Sequence, residues 1–234
     1  MALIRFGGGV VQMSGSIAGD TYARNRFGNY SRSRTKPVNP NSPRQAGARI
    51  MVMMLAEQWR ESPMTPATRE AWETYANAVA WQNRLGEVIH LSGFNHFVRS
   101  NAALIAAGGT MVTAAPTVLG LPPGDELFAC AASAATQKIS VVFDDAKDWA
   151  KETGAFLSIQ MGQPQSPSRN FFGGPWRFSA AIAGVDSTGV SSPQDIDPAF
   201  VLVEGQKVWC RARIIRKDGR ASTLFSADPF AVGA

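Results

Sequence analysis

The sequence predicts an α+β multidomain fold with an extended basic N-terminal arm, a small three-helix unit and a C-terminal antiparallel β-sandwich. Three observations predict it. The first 42 residues are polar and basic, apolar residues then recur at helical spacing to about residue 107, and from residue 116 they alternate with a period of two. We therefore expect the arm over 1–42, the helical domain over 43–107, a linker over 108–115 and the β-sandwich over 116–234.

Length and composition indicate a folded chain without a membrane anchor. The chain has 234 residues, of which 45% are hydrophobic, enough to fill a core. It contains no run of about 18 apolar residues, and its N-terminal apolar stretch is too short for a signal peptide. We expect a protein made in the cytoplasm without a leader and without membrane contact. The two cysteines, Cys130 and Cys210, are expected as small buried residues rather than as a disulfide.

Positive charge is concentrated at the N-terminus. Residues 1–49 contain eight Arg or Lys and a single acid, Asp20, which gives this segment a net charge of +7. The whole chain carries +5, which leaves −2 for the remaining 185 residues. A nearly neutral body thus carries a positive arm, and this asymmetry indicates an acidic partner.

The arm is expected to contain a two-stranded β-hairpin, with strands over 20–26 and 30–34 and a turn at Phe27, Gly28 and Asn29. Alternation gives each strand one face of aromatic and basic side chains: Tyr22, Arg24 and Arg26 on the first strand, and Tyr30, Arg32 and Arg34 on the second. A two-stranded ribbon is marginal in water, and the arm has too few large apolar side chains to order itself. We therefore expect a partner surface to give the arm its shape.

Three helices are expected to follow a stiff spacer. Residues 36–43 contain three prolines, which favour an extended path. Ser42 caps a first helix that runs to about residue 61, and Thr65 caps a second helix that continues until Gly86. Ser92 opens the third helix.

The last part of the chain is expected to consist of strands. Five apolar segments are separated by Gly, Pro, Asp and Ser clusters: 138–143, 155–161, 176–182, 199–203 and 207–215. Lys217, Asp218 and Gly219 predict a turn that returns 220–225 along the last of these segments. Six or seven short strands without an intervening helix favour a β-sandwich.

No set of residues in the sequence predicts catalysis. The two histidines, His90 and His96, lack the spacing of a helical metal pair, and we expect both in polar surface roles beside a helix cap. No serine lies in a nucleophile elbow. One acidic cluster lacks the ligand spacing of a calcium loop and is expected as a solvated turn: Asp144, Asp145, Asp148 and Glu152. We expect no enzymatic activity, no catalytic residue, no metal and no cofactor.

The basic arm is open to three interpretations. Four arginines interleave there with three aromatic residues: Arg24, Arg26, Arg32 and Arg34 with Tyr22, Phe27 and Tyr30. Such a segment can bind nucleic acid through phosphate contacts and base stacking, or an acidic protein surface through guanidinium–carboxylate pairs. It can also be a solvated tail. Charge alone excludes none of these.

A resemblance favours the protein partner. Residues 14–40, SGSIAGDTYARNRFGNYSRSRTKPVNP, resemble an N-terminal signature of structural proteins encoded by tailed bacteriophages and prophages. Positions in the helical part resemble the same group: Trp72, Tyr75, Asn83, Gly86 and 91–95. The resemblance covers about the first 105 residues and implies a virion component without catalytic residues.

The C-terminal part resembles the immunoglobulin-like or fibronectin type III-like sandwiches that phages append to capsid and tail proteins. Residues 205–213, with the turn at Asp218 and Gly219, resemble the last hairpin of such a domain. This resemblance implies the sandwich fold and adds no catalytic role.

These observations predict a non-enzymatic virion structural protein of a tailed phage. We expect a capsid-associated decoration, cement or minor capsid protein that binds the major capsid protein and forms a homo-oligomer in the particle. One alternative is a neck, tail or fibre component, bound to neck or tail subunits. The other, from a different class, is a nucleic-acid-binding protein. Partner contacts are assigned to seven residues of the arm: Tyr22, Arg24, Arg26, Tyr30, Arg32, Arg34 and Lys36.

Overall fold

The computed structural model describes residues 2–36, 38–61 and 64–234. Within these residues the chain has three α-helices and four β-sheets, most of them antiparallel. A small sheet comes first, then the helices with a short hairpin between the second and the third, and then two larger sheets. The mixed α+β class is therefore confirmed.

Residues 2–33 form a four-stranded antiparallel sheet, called here the N-terminal sheet. Its strands are β1 (Ala2–Ile4), β2 (Gly15–Ile17), β3 (Asp20–Asn25) and β4 (Gly28–Ser33), in the order β1-β4-β3-β2. The predicted hairpin is β3 with β4, and two flanking strands extend it into a larger sheet. Each flanking strand has only three residues, too few for alternation to be visible in the sequence.

The turn between β3 and β4 differs from the prediction. Asn25 pairs with Gly28, so the loop consists of Arg26 and Phe27 and is two residues long. The side chain of Asn25 accepts a hydrogen bond from the Phe27 backbone N–H (2.9 Å), which closes the turn locally. Gly28 has a φ of +116°, so the glycine is required where β4 begins rather than inside the loop.

The three helices are α1 (Pro43–Arg60), α2 (Pro66–Ala78) and α3 (Gly93–Ala106). Their starts are confirmed: Ser42, Thr65 and Ser92 each accept a hydrogen bond from a first-turn backbone N–H. α3 packs on both α1 and α2. The helices share a core of large side chains: Leu55, Met64, Trp72, Tyr75, Val79 and Phe97.

The second helix is shorter than predicted, because α2 ends at Ala78 instead of continuing to Gly86. The intervening residues form a hairpin of β5 (Trp81–Gln82) and β6 (Val88–Ile89). The side chain of Asn83 accepts a hydrogen bond from the Glu87 backbone N–H (3.0 Å), and Gly86 has a φ of +77°. Gly86 therefore completes a β-turn rather than a helix end.

Residues 129–233 contain nine strands: β7 (Ala129–Ser133), β8 (Lys138–Val142), β9 (Phe156–Gly162), β10 (Trp176–Ala183), β11 (Gln194–Ile196), β12 (Lys207–Val208), β13 (Cys210–Ile215), β14 (Phe225–Ser226) and β15 (Phe230–Gly233). One sheet has the order β10-β9-β13-β14 and the other β11-β8-β7-β15-β12. The predicted strands at β8, β9 and β10 are confirmed. The segment 207–215 is divided at Trp209, and β14 returns along β13 after the predicted turn.

The two larger sheets share one buried core. Alternate residues of three strands contribute to it: Ile139 and Val141 of β8, Leu157 and Ile159 of β9, and Ala212 and Ile214 of β13. One strand pair departs from the predicted antiparallel arrangement, since β15 runs parallel to β7. Parallel pairing joins segments distant in the chain, and periodicity carries no information on that choice. The immunoglobulin-like or fibronectin type III-like sandwich stays a prediction.

The predicted strand over 199–203 was wrong, although Leu202 within it is buried. Both backbone groups of Leu202 bond to the Gln137 side chain. Gln137 Nε2 donates to the Leu202 carbonyl oxygen (2.9 Å), and Gln137 Oε1 accepts from the Leu202 backbone N–H (3.0 Å). An amide side chain thus replaces a neighbouring strand, so apolar composition occurs here without strand pairing.

The helical part and the C-terminal sheets meet in a buried contact. A small apolar cluster joins α3 to the segment around the last turn: Leu104, Ala107, Ile215 and Ala221. The predicted linker, 108–115, lies on the helices, because Trp72 Nε1 donates to the Thr113 carbonyl oxygen (2.8 Å). Asn101 Oδ1 also accepts from the Val112 backbone N–H (2.7 Å).

Candidate assembly surface

The seven residues assigned to partner contact lie in the N-terminal sheet or directly after it: Tyr22 and Arg24 in β3, Arg26 in the turn, Tyr30 and Arg32 in β4, and Arg34 and Lys36 beyond it. The five cationic residues are exposed, and the two tyrosines are half-buried. Not one residue from 2 to 36 is buried. The sheet therefore has no core of its own and presents its charge to solvent.

The strand register divides these residues between the two faces of the sheet. Directly paired residues of antiparallel strands share a face, and Tyr22 pairs with Ser31. Tyr30 is one position away from Ser31, so it lies on the opposite face. Arg24 therefore lies on the same face of the sheet as Tyr22, and Arg32 lies on the opposite face, together with Tyr30. Alternation within each strand is visible in the sequence. Which residues of β3 and β4 share a face depends on the register, and the two-residue turn sets that register.

The cations of the sheet have no acidic partner within the described parts of the chain. None of the ion pairs found there involves the five cationic residues of the candidate surface. The side chain of Arg24 has a long bond from its Nη1 to Gln12 Oε1 (3.5 Å). The positive field of the sheet is therefore available to an acidic partner.

The N-terminal sheet rests against the β5–β6 hairpin. Arg5, next to β1, forms an ion pair with Glu87. A hydrogen bond from Asn83 is the main reason why the pKa of Glu87 lies below its usual range. Burial opposes this shift, and the charge of Arg5 and its hydrogen bond add to it. A cleft of about 530 Å³ separates the sheet from the hairpin, with Leu3 and Trp81 on its walls. The sheet is thus attached at a rim and not by a packed core.

A buried group supports the other wall of this cleft. His96 is fully buried, and its Nε2 accepts a hydrogen bond from Trp81 Nε1 (3.1 Å). The predicted surface role of His96 is wrong because this residue lies one turn beyond the Ser92 cap, on the face of α3 that meets the core, whereas His90 is exposed. Burial, followed by the charge of Arg99, lowers the pKa of His96 to about 4. The imidazole is therefore neutral at pH 7, as a hydrogen-bond acceptor must be.

Arg99 connects this group to the C-terminal part. Its guanidinium lies 4.5 Å from the centre of the Trp81 ring. It also donates to the carbonyl oxygens of Ala221 (3.0 Å) and Ser222 (3.1 Å). Burial, followed by the charge of Arg213, lowers the pKa of Arg99 to about 10, so the group keeps its charge at neutral pH. The β5–β6 hairpin is therefore the firm wall of the cleft, because buried contacts hold it to the rest of the chain. The N-terminal sheet forms the other wall and is weakly attached.

The cleft is lined by aliphatic, aromatic, amide and guanidinium side chains. The residues that line the cleft include no carboxylate, histidine, serine or cysteine. In the described residues no three His, Cys, Asp or Glu side chains lie close enough to hold a metal ion. The acidic cluster is only partly solvated: the side chain of Asp148 is 84% exposed, whereas that of Glu152 is 14% exposed and pairs with Arg216.

The two cysteines are free thiols, Cys210 buried and Cys130 half-buried. A hydrogen bond with Cys130, followed by burial, raises the pKa of Cys210. A raised pKa keeps a thiol protonated, and the protonated form is a poor nucleophile. Cys210 therefore has the character of a core residue.

Compared with protein-family models, with curated proteins and with solved structures, the chain matches none of them. None of the helices in the described residues has both the length and the apolar composition needed to cross a membrane. Function has to be inferred from the geometry of the N-terminal sheet and from the sequence that forms it.

Proposed function

We propose that the chain is a non-enzymatic structural subunit of a tailed-phage virion, held in the particle by its N-terminal sheet. Its role is that of a capsid-associated decoration, cement or minor capsid protein, with the major capsid protein as its partner. The observation that supports this most strongly is the exposed charge of the sheet. Five cations lie in the sheet or directly after it, no residue from 2 to 36 is buried, and none of the five has an acidic partner within the described chain.

The two-faced arrangement of the cations supports a partner that contacts both faces of the sheet. Arg24 and Arg32 lie on opposite faces of the sheet, so one flat acidic surface neutralises only one of them. Insertion between two neighbouring subunits provides a surface for each face. Guanidinium–carboxylate pairs suit such a contact because they are bidentate and charge-assisted. Repetition over many copies in a shell turns weak individual contacts into stable attachment.

The C-terminal part has a different role in this proposal. Its two sheets form an immunoglobulin-like or fibronectin type III-like sandwich that faces away from the contact. It is stable without a partner, because nineteen buried residues belong to its core cluster. The proposal therefore assigns attachment to the first part of the chain and the exposed body to the last.

Neutralising the arginines of the sheet tests the proposal. The test variant replaces four of them with Gln: Arg24, Arg26, Arg32 and Arg34. A matched control replaces four exposed cations of the C-terminal part: Lys138, Lys151, Arg169 and Lys217. Purified particles should contain roughly a tenth or less of the wild-type amount of the test variant, because several charge-assisted contacts per copy are lost. The control should incorporate normally, and equal incorporation of both variants would contradict the proposal.

The position in the particle is tested by electron microscopy of particles that carry a gold label at Ala234. Label distributed over the shell supports a decoration, cement or minor capsid protein. Label at the neck, tail or fibres would instead identify the chain as a neck, tail or fibre component. Particles without label, made from a chain that expresses and folds, would contradict a virion role.

Nucleic-acid binding is the second class of function, favoured by exposed arginines next to the half-buried Tyr22 and Tyr30. Each phosphate contact to duplex DNA contributes about −0.9 to the slope of log affinity against log salt. Four arginines therefore predict a slope of about −3.6. A filter-binding titration that gave this slope for the wild-type chain, and a shallow one for the variant with four glutamines, would favour nucleic acid over the capsid protein.

A further inference from the structure

Helix α1 presents an apolar face that the described chain leaves uncovered. Ile50 and Met53 are 60% and 55% exposed, and Met54 is 39% exposed. The opposite side of the helix carries Leu55, which is fully buried in the helical core. An exposed apolar patch on one side of a helix is typical of an interaction site, and methionine adapts its shape to a neighbouring surface.

Charged residues flank this face in a self-complementary order. Arg49 lies one turn before Met53 and Glu57 one turn after it, and both are exposed. The N-terminal half of α1 is basic, because it contains Arg44 and Arg49 and its first turn has no acidic residue. A basic N-terminus and an acidic residue towards the C-terminus both oppose the helix macrodipole. An antiparallel neighbour of the same kind offsets this, because its Glu57 lies beside Arg49. Arg60, in the last turn, already suits the macrodipole.

We propose that the α1 surface (Ala46, Ile50, Met53 and Met54, flanked by Arg49 and Glu57) is an interface between two copies of this chain, with the two helices antiparallel about Met53. In a two-fold interface each contact occurs twice, so the Arg49 turn of one copy lies beside the Glu57 turn of the other at two positions. Arg60 then lies beside the partner's Ala46, a small uncharged residue.

Two copies of α1 pack more favourably in an antiparallel arrangement than in a parallel one. Parallel packing places Arg49 beside Arg49 and Glu57 beside Glu57, which is repulsive at both positions. Antiparallel packing opposes the two macrodipoles favourably and pairs unlike charges. The inference rests on α1 alone and not on the virion proposal, so each can fail without the other.

The size of the surface sets the expected affinity. An 18-residue helix is about 27 Å long, and one helix pair buries less than the 1,200–2,000 Å² typical of stable complexes. We therefore expect a reversible dimer of the full-length chain with a Kd of the order of 10–100 µM. Sedimentation equilibrium at roughly 5–500 µM covers this range.

The first test removes the centre of the apolar face. Met53→Asp places two carboxylates near the two-fold axis and should weaken dimerisation at least tenfold. Val201→Asp is the matched control, because Val201 is 76% exposed and lies far from α1 in the sequence. This control should dimerise like the wild-type chain. Thermal unfolding of both variants verifies that any loss is not a loss of fold.

The second test uses the charges. Arg49→Glu and Glu57→Arg each replace the attractive pair with like charges, and each variant alone should dimerise at least tenfold more weakly. Mixed in equal amounts, the two variants regain unlike pairs at both positions. The mixture should therefore form heterodimers with an affinity close to that of the wild-type chain.

Three results would overturn the inference. The wild-type chain could remain monomeric throughout the concentration range. A dimer could form but be insensitive to Met53→Asp, which would place the interface elsewhere. The mixed charge variants could associate no better than either variant alone, which would exclude the antiparallel arrangement.

Discussion

The N-terminal sheet and the two C-terminal sheets are built from similar short strands, yet they are stabilised differently. No residue from 2 to 36 is buried, whereas nineteen buried residues form one cluster in the C-terminal part. Backbone hydrogen bonds are present in both, but their net contribution is small because the unfolded chain bonds to water instead. Strand pairing gives a segment its shape, and apolar burial decides whether that shape persists alone.

The same difference between the two regions suits them to different roles in the proposed function. A region with its own core can fold without a partner, so it suits the body of a subunit. A region without a core depends on what it contacts. In the described part of the chain, an ion pair and the rim of a cleft connect the N-terminal sheet to the rest. Under the proposed function, binding to the partner stabilises this segment and attaches the subunit in one step.

The largest expected effect separates the two regions by stability. Leu157→Ala removes a fully buried side chain of β9 and should lower the free energy of unfolding by about 2–5 kcal/mol, since it leaves a cavity in the core. Ile17→Ala in β2, where the side chain is 61% exposed, should change it by less than about 0.5 kcal/mol. Urea denaturation measures both. Similar losses for the two variants would mean that the N-terminal sheet belongs to the cooperative core.

A second effect concerns the firm wall of the cleft. The folded-state pKa of His96 is about 4, below the ordinary value of 6.5, so the unfolded chain takes up the proton first as the pH falls. Stability is therefore retained above about pH 6.5 and lost between about pH 6.5 and 4. The expected loss at pH 5 relative to pH 7 is about 2 kcal/mol.

Urea denaturation at the two pH values checks this. His96→Gln should remove most of that pH dependence, because glutamine stays neutral. His90→Gln, at an exposed position, should leave it unchanged. A pH dependence that survives in His96→Gln would assign the titration to other groups.

The smallest effect concerns the attachment of the N-terminal sheet. Arg5→Ala removes the ion pair with Glu87, in which the Arg5 side chain is 77% exposed. Solvent and salt screen such a pair, so the midpoint of global unfolding should not change measurably. Hydrogen exchange at the β1 amides should become faster, because the sheet is held at this rim. A change of midpoint with unaltered exchange would contradict a weakly attached sheet.

Elements defined by local interactions could be predicted from the sequence. The starts of all three helices follow from Ser42, Thr65 and Ser92, whose caps involve only neighbouring residues. Elements defined by distant partners could not. The pairing of β7 with β15 joins residues about a hundred positions apart, and Leu202 is bonded by Gln137 from 65 positions away.

The same distinction applies to the candidate surface. The exposure of Arg24 and Arg32 could be predicted from charge and composition, because the segment around them has too few large apolar side chains to form a core. Their placement on opposite faces depends on a turn that is one residue shorter than predicted. The group of Trp81, His96 and Arg99 carries no sequence signal, since its contacts form only after α3 packs on the rest of the chain.

Hydrogen exchange of the isolated, full-length monomer compares the two regions most directly. The amides of β3 and β4 should exchange through local opening, with protection far below that of β9 and β13, where exchange requires global unfolding. Addition of the proposed partner, the major capsid protein, should slow exchange in β3 and β4 and leave β9 and β13 unchanged. Amides of β3 and β4 that are as strongly protected as those of β9 in the free monomer would show that the N-terminal sheet is stable unaided, and would contradict its proposed dependence on a neighbour.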